Sequence, residues 1–326
     1  MGSIVLGTDN SQFTLRKLYT AILRTSYRVS HSRVYRHSAR LWHHFKIERD
    51  AYGAIRTLTF RGKSIPLENG KNLTPLEIGP VHLIATGPSV AQIDYRRLPM
   101  ASAIGVNGAI ALSERYPVKF DYYCIIDTQF VKKRPDLIEK ILRQNLTLFV
   151  PPLVLWYILQ HFPVSALRCK IYLTEEICKP TFLPARDCQE LQRLASRDIC
   201  QFDADSLLGY SFDIGRGFFD SKTVAFTALQ VLTWLGYKDI YIHGMDLSNT
   251  LSVPRFYETH ETMQPSSIEL DFAAYIEPSF RKALPLLRER GISVTNLSLA
   301  SALDASIFPK RDWNSLCEPE ACLQQA

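Results

Sequence analysis

Short apolar runs that stop at small or polar residues recur along most of the chain. Val81–Thr86 stops at Gly87-Pro88-Ser89, Ala103–Val106 at Asn107-Gly108, and Tyr122–Ile126 at Asp127. Leu146–Val150 is closed by Pro151-Pro152, Asp239–His243 runs into Gly244, and Ile292–Asn296 reads as the last of the series. Unbroken runs of this kind predict strands covered on both faces. Between them, Pro135–Gln144, Leu153–His161, Ser221–Leu235 and about Ile268–Arg290 carry helical spacing. Strand–helix alternation predicts an α/β fold, a Rossmann-like parallel sheet with helices on both faces.

The first part of the chain reads differently. Leu15, Leu18, Tyr19, Ile22 and Leu23 form an apolar stripe at helical spacing, flanked by Arg16, Lys17 and Arg24, which predicts an amphipathic helix. Further on, Val34, Tyr35, Leu41, Trp42 and Phe45 alternate with Arg and His. Ala54 to Leu67 alternates and turns at Arg61-Gly62-Lys63, a hairpin signal, and the polar stretch Glu68 to Pro75 follows. Three parts are expected: a basic N-terminal helical arm (1–50), a hairpin and linker (51–75), and the Rossmann-like body (76–326).

Charge sharpens this division. Thr14 to Arg49 holds nine Lys or Arg against one acid, Glu48, a net +8 that leaves the rest of the chain near −2 of the total +6. A basic amphipathic segment with aromatics suits an anionic membrane surface. It equally suits a stripe packed on the body with solvated arginines, and amphipathicity alone does not separate the two. Nucleic acid is not expected as a partner, because no nucleic-acid motif accompanies the charge. No stretch approaches the roughly 18 apolar residues of a membrane span. Met1 to Gln12 does not read as a signal peptide, so a cytoplasmic protein is expected. The seven cysteines form no C-x-x-C pair and none has a His at zinc-finger spacing, so free thiols are expected and a metal site is not.

In an open parallel sheet, ligands bind beyond the carboxyl ends of the strands. The candidate donor- or nucleotide-binding residues are therefore those ending the apolar runs: Gly87, Pro88, Ser89, Asn107, Gly108, Gly244 and Asp246. Small residues admit a phosphate to backbone N–H groups, and Asn and Asp offer directional bonds to a base or sugar. A plain tight turn is the alternative at Gly87 and Gly244. Thr86-Gly87-Pro88-Ser89 lacks the third glycine of a dinucleotide fingerprint and the Gly-Lys-Ser/Thr of a P-loop, and no G-x-S-x-G elbow occurs.

Ile84-Ala85-Thr86-Gly87-Pro88-Ser89, with Ile93-Asp94-Tyr95-Arg96-Arg97-Leu98-Pro99, resembles the amino-terminal motif of bacterial CMP-sialic acid sialyltransferases, and Ile240–Leu247 looks like their later Gly-Ile-Asp strand end. Similarity is closer to the lipopolysaccharide-core Kdo transferase family, the WaaZ type. It is carried by Val106-Asn107-Gly108, Asp127 with Phe130, the run Thr223–Gln230, Gly244–Leu247 and Arg255-Phe256-Tyr257-Glu258, over roughly Val81 to Pro309.

The resemblance implies an inverting glycosyltransferase that uses a CMP-activated ulosonic acid, CMP-Kdo or a related CMP-sugar, to modify lipopolysaccharide core. The resemblance leaves the basic arm uncovered; the arm's charge and stripe make a peripheral place on the anionic cytoplasmic face of the inner membrane the expectation. The alternatives are a CMP-sialic acid sialyltransferase and a non-catalytic nucleotide-binding assembly factor. No cofactor is expected. A departing nucleoside monophosphate does not oblige a metal, and Asp203-Ala204-Asp205 lies in a polar loop. Ser89, Ser221 and Thr223 are candidate donors to the leaving phosphate at a helix start, with Lys222 as counter-charge. An inverting transfer needs a base: Asp127 is the first candidate and His260 the second, the alternative for His260 being an exposed loop residue beside Glu258 and Glu261. Arg255 is a candidate for the donor carboxylate and Tyr257 for closing over the site, against an ordinary ion pair and a packed aromatic.

Overall fold

The computed structural model describes residues 21–73 and 79–317. Its centre is a seven-stranded sheet in the order β12-β11-β4-β5-β6-β7-β8. The strands are β4 (Val81–Ile84), β5 (Ser102–Val106), β6 (Tyr122–Cys124), β7 (Thr147–Val150), β8 (Lys170–Leu173), β11 (Asp239–His243) and β12 (Ser293–Asn296). Every pairing in it is parallel. The chain lays β4 to β8 outward in one direction, then returns to place β11 against the other side of β4. The order reverses between β4 and β11, where an open α/β sheet leaves a crevice.

Pleat alternation divides the core in two. Val81, Leu83, Ile104, Val106 and Phe149 face one layer, formed by α6 (Val224–Leu235) and α8 (Glu277–Glu289). Ile84, Ala103, Tyr123, Leu148 and Val150 face the other, formed by α3 (Pro135–Leu142) and α4 (Pro152–His161). β4 and β7 are buried at every position, as strands sandwiched between helical layers must be.

The described chain opens in a helix, α1 (21–30). The residues Leu15, Leu18 and Tyr19 of the expected stripe lie outside the described residues. Ile22 is exposed, whereas Tyr27, Leu41 and Phe45 are buried. β1 (Phe45–Arg49) pairs antiparallel with β2 (Ile55–Phe60), and β2 with β3 (Lys63–Ile65). The expected boundary at residue 50 therefore falls between two paired strands. Leu41, Phe45, Leu58, Phe60 and Ile65 join the same core as α3 and α4, so the second half of the arm packs on the body. The expected hairpin turn is present: Arg61 and Gly62 both have positive φ, the mark of a type I′ turn.

Beyond β1, five elements add to those expected from the pattern. β8 forms one edge of the sheet, and β9 (Ile199–Gln201) pairs with β10 (Gly209–Ser211). Two short helices are α2 (Thr128–Lys133) and α5 (Cys188–Leu194). The expected helix near Ile268–Arg290 is interrupted: α7 (Ile268–Asp271) passes through a π-helical turn, Phe272–Ile276, into α8.

Candidate functional site

A cavity of about 680 Å³ opens where β4 and β11 part, within the roughly 300–1,000 Å³ of small-molecule sites. The strand ends are held close. Gly87 N–H donates to the Gly244 carbonyl at 2.9 Å. A Cβ on Gly87 would stand 2.2 Å from Asp246 Oδ2 and 2.6 Å from the Gly244 oxygen. Gly244 itself has φ +65°, and a Cβ there would meet Val90 at 2.4 Å. Asp246 Oδ2 accepts from the Ser89 N–H at 2.9 Å, which ties the β4 loop to the β11 loop. Ser89 turns its hydroxyl away, to Ser298 Oγ at 2.9 Å, and Ser298 Oγ accepts from Met245 N–H at 3.0 Å.

Two acceptors in this crevice have no partner among the described residues: Asn107 Oδ1 and Asp246 Oδ1, both buried. An unpaired buried acceptor costs roughly 1–3 kcal/mol, so both atoms call for a donor. Asn107 has φ +45°, which Asn tolerates better than most side chains. Its carbonyl accepts from Tyr123 Oη at 2.7 Å. Gly108 gives the Tyr257 ring its place, since a Cβ would stand 2.1 Å from it. Burial pushes the Tyr257 phenol well above its ordinary range, and the Arg134 guanidinium lies 5.2 Å from the ring centre. Arg255 lines the cavity but is already engaged: its Nη1 donates to Glu258 Oε1 at 3.1 Å and Oε2 at 3.2 Å.

The floor is the start of α6. Thr223, its N-cap residue, makes no side-chain cap and lines the cavity with Val224 and Ala225. The first N–H groups of the helix thus face the space, a natural anion cradle. Gln230, fully buried, fastens this helix: its Oε1 accepts from Ser211 N–H and Phe219 N–H, each at 3.0 Å. Lys222 is held to Asp220, Nζ to Oδ2 at 3.4 Å, and that carboxylate raises its pKa. Ser221 is fully buried, does not line the cavity, and leaves its Oγ without a partner among the described residues.

The opposite wall is α2. Asp127 caps it, Oδ1 accepting from Gln129 N–H at 2.7 Å, and the exposed carboxylate borders the cavity with Lys133 and Arg134. Sequence reasoning missed the two cations, although Lys132-Lys133-Arg134 follows directly on the Asp127 strand end. His260 is exposed and does not line the cavity. Asp203 forms a surface ion pair with Lys282.

Behind β4 and β11 lies a buried chain of rings. Tyr95 Oη is 3.3 Å from His243 Nδ1, and His243 Nε2 is 2.8 Å from His82 Nδ1. His82 also bonds the Pro99 backbone, which can only accept. This fixes one proton order: Tyr95 donates to His243, His243 to His82, and His82 to Pro99. Burial lowers the His82 pKa to about 4, and burial with the neighbouring His82 lowers that of His243. Both shifts favour the neutral rings, and the His82–His243 bond ties β4 to β11 beneath the crevice.

The family profile described as "3-deoxy-D-manno-octulosonic acid transferase WaaZ" matches residues 197–312, which include α6, β11, the Arg255–Glu258 segment and β12. A Salmonella typhimurium protein named "Probable 3-deoxy-manno-octulosonic acid transferase" is 25% identical over 240 residues, 70% of this chain and 84% of that protein. An Escherichia coli protein of the same name is 31% identical over 103 residues, 32% of this chain and 35% of that protein. Two solved structures overlap loosely, each at 15% identity. The MAf glycosyltransferase of Magnetospirillum magneticum has a TM-score of 0.43 and covers 73% of this chain and 34% of its own. A monofunctional alpha-2,3-sialyltransferase of Campylobacter jejuni has a TM-score of 0.40 and covers 72% and 81%. The class that the profile and the two named relatives support is that of the glycosyltransferases. Within it, the chain resembles the WaaZ type of Kdo transferase, as its motifs suggest. Among the described residues no helix is long and apolar enough to cross a membrane.

Proposed function

We propose that this protein is an inverting transferase that moves Kdo from CMP-Kdo to a hydroxyl of lipopolysaccharide core. The observation that carries the reading is the crevice between β4 and β11, where the unpaired acceptors Asn107 Oδ1 and Asp246 Oδ1 sit opposite the start of α6. Acceptors suit the amino and hydroxyl groups of a nucleoside; the helix start and Lys222 suit its single phosphate. The wall formed by Asp127, Lys133 and Arg134 faces that position. In the transfer, an acceptor oxygen bonds to the anomeric carbon as the bond from that carbon to the CMP phosphate oxygen breaks. Asp127 takes the hydroxyl proton through the carboxylate oxygen that does not cap α2. Arg255 serves this reading as the partner that holds Glu258 and shapes the loop bearing Tyr257, rather than as a free grip for the donor carboxylate. The arm lies on the anionic cytoplasmic face of the inner membrane.

The experiment is release of CMP from a panel of CMP-sugars with truncated core oligosaccharide, with and without excess chelator. Acceptor-dependent CMP release from CMP-Kdo, unchanged by chelator, is expected. Release from CMP-sialic acid alone would redirect the assignment, and activity restored only by Mg²⁺ or Mn²⁺ would show a metal-dependent site.

A further inference from the structure

Near the cavity, two cations share one ring, and two more on α1 act on one of them. The Lys132 ammonium lies 4.4 Å from the centre of the Tyr157 ring and the Arg40 guanidinium 5.7 Å from it. Arg24 and Arg28, one turn apart on α1, stand near enough to act on Arg40: burial, then the charges of Arg24 and Arg28, lower its pKa. Burial, then Arg40, lowers that of Lys132. None of the four has an ion pair with a described carboxylate, and the charge of Asp127 acts on Lys132 against that of Arg40. Arg24 Nε is buried with no hydrogen-bond partner among the described residues.

Four like charges assembled this closely repel one another, and a buried donor left idle adds to that cost. A dianion with several oxygens answers both: it takes hydrogen bonds from planar guanidinium groups and offsets the charge of the ammonium. Tyr157 holds Arg40 and Lys132 in place, so little ordering remains to be done on binding. Lys132 is followed immediately by Lys133 and Arg134, which line the cavity. We propose that Arg24, Arg28, Arg40 and Lys132 form a phosphate site that grips a phosphoryl group of the acceptor and presents its hydroxyl to Asp127. The acceptor assignment rests on the transferase reading; the phosphate site itself does not.

Calorimetric titration of the full chain with glucose 6-phosphate, with glucose as control, tests this. The protein should bind the phosphosugar and not glucose. In Arg40→Gln/Lys132→Gln the affinity should fall by roughly 10- to 100-fold, as expected for losing charged hydrogen bonds. CMP binding should be unchanged and Arg40→Lys/Lys132→Arg should retain the phosphosugar. Equal binding by protein and Gln variant, or none by the unaltered protein, overturns the site. So does a Gln variant that loses flotation on phosphatidylglycerol vesicles yet keeps glucose 6-phosphate, which would make the cluster a membrane surface. Failure of CMP to bind the unaltered protein counts against the donor reading alone.

Discussion

Gly87→Ala probes the close approach of the β4 and β11 loops. The residue has φ −64° and ψ 160°, a conformation open to alanine, so any penalty comes from space and not from backbone strain. The added methyl would lie 2.2 Å from Asp246 Oδ2 and 2.6 Å from the Gly244 carbonyl. Relief requires the β4 and β11 loops to part. That costs about 1–3 kcal/mol as overpacking and about 1.5–3 kcal/mol more where the Ser89 N–H loses the Asp246 carboxylate. At about 2 °C for each kcal/mol in a chain of this size, a fall in Tm of roughly 5–12 °C is expected by calorimetry. Asp246→Ala removes one of the two clashing atoms but not the carbonyl. The double variant should therefore lose less than the sum of the single losses and still melt below Asp246→Ala. An unchanged Tm in Gly87→Ala, or strict additivity in the cycle, would refute the reasoning.

Asp127→Asn should keep CMP affinity while turnover falls on the order of 10²–10⁴-fold, with His260→Ala nearly silent; steady-state CMP release checks both, and full activity in the Asn variant removes Asp127 from the mechanism. The neutral histidine pair should make the fold acid-sensitive. Unfolded histidine titrates near 6.5 and folded His82 near 4, so the stability is complete above about pH 6.5 and declines as pH falls toward 4. The loss is on the order of 3 kcal/mol for His82, read as Tm against pH, and a shallower profile in His82→Asn identifies that ring's share, the remainder belonging to His243. Deleting residues 1–50 should destabilise the body, because it removes β1 and the buried Tyr27, Leu41 and Phe45, each worth roughly 2–5 kcal/mol; a soluble truncated protein with an unshifted Tm would return these residues to the role of a separate arm.

The sheet was legible because its strands are buried on both faces, which leaves runs such as Val81–Ile84 and Thr147–Val150 mostly apolar, each with one buried polar residue, His82 and Thr147. The strand-end residues followed, since a parallel sheet dictates where its ligands sit. β8 escaped notice because it opens on Lys170 at the sheet edge, and its apolar run is very short. β1 was hidden by its composition: Phe-Lys-Ile-Glu-Arg looks like more of the basic arm until its pairing with β2 is seen. At the site, position was readable but orientation was not. Nothing in the order of residues says that Ser89 turns toward Ser298, that Ser221 is sealed in the core, or that Arg255 turns its Nη1 to Glu258. Those outcomes depend on contacts between segments far apart in the chain.

The placement of β11 beside β4 also sets a schedule for synthesis. β8 is complete at Leu173, but the strand that covers the open side of β4 begins at Asp239. At about 5–20 residues per second, that interval lasts roughly 3–13 s. Throughout it, Val81–Ile84 is an edge with unsatisfied backbone groups, a template for any passing strand. A nascent chain halted at residue 238 would carry this bare edge beside half of a cavity, so the moment of greatest aggregation hazard and the moment before the crevice first exists are the same.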